Sequence, residues 1–173
     1  MKKTLLLITL FITGVCFGQK YELAEEFYDN GLPKVINTYK VSKDKIELVK
    51  EIKWYENGQK KRELAFKDGE FDGKRTEWYE NGQKNWEETY KDGKSFVSNS
   101  WDENGKIMVK DGNGLFTEWY ENGQKWIEIT YKDGKEEGLQ TYWYENGQKR
   151  HEGTVKDGEL IESTHWDEDG NKL

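Results

Sequence analysis

Short runs rich in aromatic and β-branched residues alternate with polar turn dipeptides along most of this chain. One phrase, Trp-Tyr-Glu-Asn-Gly-Gln-Lys, occurs unchanged at 54–60, 78–84, 119–125 and 143–149. A second phrase, Lys-Asp-Gly, recurs between these copies, for example at 91–93. Asn-Gly and Asp-Gly favour type I′ hairpin turns, because both central residues of that turn need positive φ. The pattern therefore predicts an all-β chain of antiparallel strands, each roughly 6–9 residues long.

Looser copies of the first phrase begin at Phe27, Trp101 and Trp166. Successive leading aromatic residues are 27, 24, 23, 18, 24 and 23 positions apart. A period in this range is typical of a repeat array, in which each unit buries its apolar surface against its neighbours. We therefore predict an elongated antiparallel meander of repeated β-hairpins in a single-layer twisted sheet. The sequence leaves open whether the sheet stays an open ribbon or curls.

The same pattern divides the chain into a signal peptide at 1–18, a degraded first repeat or N-terminal cap at 19–53, and hairpin repeats at 54–173. The repeats are about 23–24 residues long, with one shortened unit at 101–118. Terminal units of an array are expected to be atypical because they cap it. Within the cap, the stretch 45–53 fits either a short helix or a strand. We favour a strand because its apolar residues alternate and it leads straight into the repeat.

The first residues have the features of a secretory signal peptide. A positively charged start precedes the apolar run 5–15, which is too short to span a membrane. Cleavage after Gly18 would give an exported chain that begins at Gln19 and is periplasmic, outer-surface or secreted. The alternative is a lipoprotein anchored at Cys16, which would give peripheral membrane association. We favour cleavage, because the residues before Cys16 do not fit a lipidation signal.

Composition narrows the classes of function. Charged residues make up 35% of the 173 residues and aromatic residues 14%, so the chain has the large apolar side chains that disordered segments lack. Cys16 is the only cysteine, so the mature chain would have no disulfide and no reactive thiol. Removal of the leader lysines would lower the net charge from −7 to −9. This charge argues against nucleic acid and anionic lipid as partners.

The candidate binding residues are the recurrent tryptophans Trp54, Trp78, Trp101, Trp119, Trp143 and Trp166. One interpretation is structural, with the Trp side chains stacking to hold the hairpins together. The other is a row of exposed aromatic platforms for a protein or a sugar ring, since large apolar patches mark interaction sites. A two-residue Asn-Gly loop would place each Trp on the same face as the residue nine positions later. A three-residue loop with a Gly bulge would exchange these partners.

That later position is always glutamate in the full copies, which gives a recurrent acidic row of Glu63, Glu87, Glu128 and Glu152. The simplest explanation is cross-strand pairing with a lysine six or thirteen positions after the Trp. Such exposed pairs contribute about 0–1 kcal/mol each. The alternative is that the row holds cations or meets a basic partner.

The reactive side chains predict no enzyme, no cofactor and no metal site. His151 and His165 are the only histidines, they fall in different units, and neither has a recurrent Ser, Cys or Asp partner. We expect both to be surface strand residues. The acidic stretch 167–171 is similar to part of a calcium loop, but it occupies the place of an Asn-Gly turn and we interpret it as one.

The best-formed unit, at 73–93, contains Trp78 and Tyr79, then Asn-Gly, and ends with Tyr90 and Gly93. This pattern resembles the MORN-repeat variant of bacterial proteins, and the resemblance covers about 27–172. It is more specific for the fold than for a function. Similar proteins are described as antitoxin components of toxin–antitoxin pairs, and related repeats as membrane-associated or scaffold modules.

The sequence therefore favours an exported, non-enzymatic repeat scaffold that binds another macromolecule, above all an envelope or secreted protein. An antitoxin-like neutraliser of a secreted toxin is a special case. The alternative is carbohydrate or cell-wall binding through the aromatic face, because the hairpins are loosely similar to choline- and wall-binding repeats. An open array also ends in an unpaired strand, so we expect edge-to-edge self-association.

Overall fold

The computed structural model describes residues 19–173, and its regular elements are all β-strands. The thirteen strands are β1 (Lys20–Phe27), β2 (Pro33–Val41), β3 (Ile46–Trp54), β4 (Lys60–Lys67), β5 (Glu70–Trp78), β6 (Lys84–Lys91), β7 (Lys94–Trp101), β8 (Ile107–Lys110), β9 (Asn113–Trp119), β10 (Lys125–Lys132), β11 (Lys135–Trp143), β12 (Lys149–Lys156) and β13 (Glu159–His165). They form one antiparallel sheet in sequence order. The predicted all-β meander of hairpins is confirmed.

Two further predictions concern the ends of this array. The stretch 45–53 lies almost entirely within β3, so the strand prediction there is confirmed. The predicted signal peptide and the alternative of lipidation at Cys16 lie outside the described residues. The described part of the chain contains no helix long and apolar enough to cross a membrane.

Apart from the turn at 42–45 between β2 and β3, two kinds of turn connect the strands, one kind at each end of the strands. At the Asp-Gly turns both residues have positive φ, as at Asp68 (φ 53) and Gly69 (φ 86), so the predicted type I′ geometry is confirmed. At the Asn-Gly turns only the glycine has positive φ. There the main-chain nitrogen of Tyr79 donates to the oxygen of Gln83 at 2.8 Å, which encloses a three-residue loop. The type I′ prediction is therefore wrong for the Asn-Gly turns.

A β-bulge after the Asn-Gly turn changes the pairing again. Trp78 pairs with Lys84, but Thr76 pairs with Glu87, so β6 contains one extra residue between these pairs. The bulge restores the pairing that a two-residue loop would have given along the rest of the strands. Trp78, Thr76 and Glu87 therefore share one face, which we call the Trp face.

The main hydrophobic core lies on the opposite face, near the middle of the array. Its buried residues are Val97, Val109, Phe116, Ile127, Ile129 and Tyr131. Trp86 packs against this cluster, with its ring centroid 5.2 Å from that of Phe116 in an edge-on arrangement. Aromatic pairs at this distance stabilise a fold beyond the contribution of the apolar area that they bury. The core therefore relies on Trp86, which is not one of the recurrent tryptophans.

The shortened unit makes the sheet curl at this core. Strand β8 has only four residues, and β7 therefore reaches the turn between β10 and β11. The main-chain nitrogen of Val97 donates to the oxygen of Gly134 at 2.8 Å, and the nitrogen of Gly134 donates to the oxygen of Gly112 at 2.9 Å. These bonds join β7 to the turn between β10 and β11, and that turn to the turn between β8 and β9, although these segments are not neighbours in the sheet.

Candidate binding surface

Most Asn-Gly turns are hydrogen-bonded to the next Asn-Gly turn along the array. A tyrosine hydroxyl in each donates to the main-chain oxygen of the next leading Trp at 2.7–3.0 Å, in the pairs Tyr28–Trp54, Tyr55–Trp78, Tyr79–Trp101, Tyr120–Trp143 and Tyr144–Trp166. The turn asparagine makes a parallel contact, as when Asn81 Nδ2 donates to the main-chain oxygen of Glu103 at 3.0 Å. The recurrent Tyr and Asn residues therefore hold successive units together.

A lysine from one unit also covers the leading Trp of the next. The Nζ atom lies 5.4–5.9 Å from the ring centroid in the pairs Lys60–Trp78, Lys84–Trp101, Lys125–Trp143 and Lys149–Trp166. At this distance the ammonium group is attracted to the face of the indole. These four Trp side chains are half-buried, so they do not form a row of open platforms.

The same lysines bind the acidic row. Glu63, Glu87, Glu128 and Glu152 each pair with the lysine three positions earlier. The predicted lysine six positions after the Trp is thus the partner, but the pair runs along one strand and not across two. Burial alone would raise the pKa of Glu87, yet hydrogen bonds from Lys74 and Lys84 lower it overall. On the Trp face, each lysine therefore contacts both the Glu of its own unit and the Trp of the next unit.

The junction between the units of Trp101 and Trp119 departs from this pattern. Asp102 stands where the four full copies of the phrase have the bonding tyrosine, and Ile107 stands where they have the covering lysine. Neither side chain can make the missing contact, because a carboxylate is too short for it and an isoleucine has no charge. Within residues 19–173, no lysine lies over the ring of Trp119.

The glycines of the turns show the same gap. At Gly82 and Gly147, a Cβ atom would meet the glutamine of the preceding turn at 2.8 and 3.0 Å. At Gly123 the corresponding space is open within 4 Å. The glutamine contact between successive turns is therefore missing at the turn 120–124, because Lys106 stands in the glutamine position of the turn before it.

This gap is a cleft of about 580 Å³, which we call the junction cleft. Trp119 and Trp126 line it and are 51% and 40% exposed, whereas the other six Trp side chains are half-buried. The ring of Tyr120 lies beside Trp126, with 6.4 Å between their centroids. The two most exposed Trp residues within 19–173 therefore line the same site.

The junction cleft is acidic. Asp102, Glu103, Glu118 and Glu121 line it, and its described lining contains no Lys, Arg or His side chain. Burial raises the pKa of Glu118. Burial, together with the negative charges of Glu118, Glu103 and Asp102, raises the pKa of Tyr79 to about 12. The site therefore combines aromatic surfaces with uncompensated negative charge.

Trp119 is one of the binding residues predicted from the sequence, whereas Trp126 and Glu118 are not. The position of Trp126 is Lys61, Asn85 or Arg150 in other units, so no recurrence drew attention to it. A usable signal was present in the shortened unit, which has lost both the tyrosine and the lysine that join regular units. Such a double loss marks a junction whose contacts must differ.

The structure also brings together the two histidines, which sequence analysis treated as separate. His151 and His165 face each other across β12 and β13, with their Nδ1 atoms 3.4 Å apart. Burial, and then the positive charges of His165 and Arg150, lowers the pKa of His151. They are strand residues, as predicted, and the antiparallel pairing of β12 with β13 brings them together although they fall in different units.

Comparison with protein families agrees with this architecture. The model of the MORN repeat variant matches residues 49–68, 71–92, 112–133 and 136–157, and the irregular stretch 93–111 lies between the second and third matches. A search of curated proteins found no significant match. Repeats of this kind, stacked as they are in this sheet, form a repeat scaffold. The chain belongs to the MORN repeat variant family.

Proposed function

We propose that this protein is an exported, non-enzymatic scaffold that binds a protein partner, either in the cell envelope or secreted, at the junction cleft. The observation that carries the proposal is the position of Trp119 and Trp126. These two exposed residues line the cleft at the junction that lacks both the tyrosine and the lysine contacts, and they are 51% and 40% accessible. Exposed aromatic residues that cluster in a cleft are typical centres of protein interfaces.

The regular units support this choice of surface. Their Trp, Lys and Glu side chains already contact one another, so a partner would gain little new contact there. The junction cleft has no such internal partners, and its aromatic groups can be covered only by another molecule. An antitoxin-like role would be the case in which that molecule is a toxin.

Carbohydrate binding is the competing function, because exposed indole faces beside polar groups also suit the stacking of a sugar ring. The four lysine-covered Trp residues count against a long row of sugar platforms along the array. If the protein binds carbohydrate, the exposed Trp119 and Trp126 favour binding of a single sugar at the junction cleft.

The test is capture from an envelope extract by the immobilised chain 19–173. A Trp119→Ala/Trp126→Ala variant is compared with a Trp78→Ala/Trp143→Ala variant, and circular dichroism establishes that each is folded. We expect one defined protein to be retained by the native chain and the second variant and lost from the first. Retention of polysaccharide in place of protein would favour the alternative, and equal capture by both variants would refute the junction cleft as the site.

A further inference from the structure

At the regular junctions, the same lysine side chain contacts both an indole ring and a carboxylate. In each of four junctions, a lysine ammonium lies over an indole face and at the same time contacts a carboxylate. Lys84, for example, is 5.7 Å from the ring centroid of Trp101 and 2.7 Å from Glu87 Oε1. The contact combines a cation–π attraction with a charge-assisted hydrogen bond.

The junction cleft keeps the Trp of this arrangement but lacks its lysine, and Lys110 stands where the regular units have the paired glutamate. Ile107 replaces the lysine, and the indole of Trp119 is left 51% exposed. Trp126 and Tyr120 add a second aromatic wall. The carboxylates are supplied by Glu118 and its three acidic neighbours in the lining, with no positive side chain among the described lining residues.

A metal ion fits this site less well than an organic cation. Within residues 19–173, no three metal-ligating side chains converge, and hard cations need a cage of oxygen ligands. An ammonium or guanidinium group on an aliphatic stem can stack on the indole faces and reach the carboxylates at the rim. The volume of about 580 Å³ is ample for one such side chain.

We propose that the junction cleft binds a lysine or arginine side chain of the partner protein, which takes the place of the repeat lysine that this junction has lost. The proposal rests on the proposed function, because it names the group by which the partner is recognised. The array thus joins its own units with a lysine at the regular junctions and accepts one from another protein at the irregular junction.

The test is NMR titration of the ¹⁵N-labelled chain 19–173 at about physiological ionic strength, where screening limits general charge attraction. The probe is hexalysine with blocked ends, and the control peptide is the same hexalysine with every side chain acetylated. Indole N–H signals are assigned by single Trp→Phe variants. We expect hexalysine to shift the signals of Trp119 and Trp126 and to leave that of Trp143 in place, and the acetylated peptide to shift none of them.

A matched pair of charge variants tests the carboxylates. Glu118→Gln removes a charge from the cleft, whereas Glu77→Gln removes one from the same position before Trp78, where Arg75 pairs with it at 2.6 Å. We expect Glu118→Gln to weaken hexalysine binding about fivefold or more and Glu77→Gln to change it less than about twofold. The proposal would be overturned if the two variants weakened binding equally, or if the Trp143 signal shifted as much as those of Trp119 and Trp126. Either result would show that hexalysine binds by general charge attraction.

Absence of any shift at millimolar hexalysine would also overturn it. This outcome is separate from the proposed function, which the capture experiment decides on its own. A protein lost with Trp119→Ala/Trp126→Ala but retained by Glu118→Gln would leave the scaffold function in place and refute recognition of a cation. Failure of both variants to alter capture would refute the binding site itself.

Discussion

The hydroxyl of Tyr79 donates a hydrogen bond to the main-chain oxygen of Trp101 at 2.9 Å, and so fixes the end of one repeat to the end of the next. Tyr79→Phe leaves that half-buried carbonyl without its partner. We expect the free energy of unfolding to fall by about 1 kcal/mol, as for other intramolecular hydrogen bonds. Urea denaturation followed by Trp fluorescence measures it. Tyr21→Phe is the control, because that hydroxyl bonds only to exposed Gln19, and a loss of equal size there would contradict this account.

Gly112 lies where two Asp-Gly turns are stacked. Its φ is 77, and a Cβ atom would lie 2.5 Å from the main-chain nitrogen of Gly134. We expect Gly112→Ala to lower the free energy of unfolding by roughly 3 kcal/mol, since both the backbone conformation and the close approach oppose a side chain.

Gly69→Ala separates the cost of the backbone conformation from the cost of the close approach. Gly69 has a similar φ of 86, but nothing lies within 4 Å of an added Cβ. Its substitution should cost only about 1–2 kcal/mol, the penalty of the left-handed conformation. Equal losses in thermal or urea denaturation would show that the stacking of the turns adds no stability.

Arg75 balances the negative charge of a buried carboxylate on the face of the sheet that carries the hydrophobic core. Its guanidinium lies 2.8 Å from Glu88 Oε1, and the Glu88 side chain is only 6% exposed. Arg75→Met would remove the positive partner of Glu88 and leave it the hydrogen bond from the Ser95 hydroxyl, and we expect a loss of about 3–5 kcal/mol in the free energy of unfolding, measured by urea denaturation. The double variant Arg75→Met/Glu88→Met should recover much of the loss.

Lys74→Met is the matched control for this pair. Lys74 binds Glu87 at 2.8 Å, but Glu87 also contacts Lys84 and Asn99. The remaining partners keep the carboxylate satisfied, so the loss should stay below about 1 kcal/mol. A Lys74→Met variant as unstable as Arg75→Met would contradict the distinction.

The histidine pair gives the last hairpin a pH dependence. The pKa of His151 is lowered from its ordinary value of 6.5, so the unfolded chain binds the proton more readily than the folded chain. The contribution to stability is therefore present above pH 6.5 and is lost as the pH falls from there through the lower folded pKa. His165→Gln removes one of the causes, and NMR titration should show the pKa of His151 move back toward 6.5. An unchanged pKa would show that His165 has no effect on it.

Within residues 19–173, the outer edge of β1 has no partner strand, and β13 is bonded only at its last residue to the end of the chain, where the main-chain nitrogen of Leu173 donates to the oxygen of His165 at 2.9 Å. On β13, Leu160 and Ile161 are 52% and 63% exposed. The predicted edge-to-edge association should appear in sedimentation velocity as a species that grows with protein concentration. A charge on an exposed edge opposes such pairing, so Ile161→Lys should reduce the association if β13 is the edge involved. Monomeric behaviour of the native chain at millimolar concentration would refute it.

Much of the fold could be predicted because its contacts are local and repeated. Alternating apolar residues between Gly-containing turns define each hairpin, and the fixed period places successive hairpins side by side. The geometry of the Asn-Gly turn could not be predicted in this way. Its three-residue loop and the bulge after it shift the register in opposite directions, and only the paired strands reveal that the two shifts cancel.

The strands, their order and the units of the array follow from the amino-acid sequence, since each depends on residues close together in the chain. Which tryptophans are covered and which are open depends on contacts between units that the folded sheet brings together. Trp78 and Trp119 belong to identical seven-residue phrases, yet Lys60 covers the first and no lysine covers the second within the described residues. The difference arises in the preceding unit, because the face of each Trp is closed or left open by a side chain from its neighbour in space.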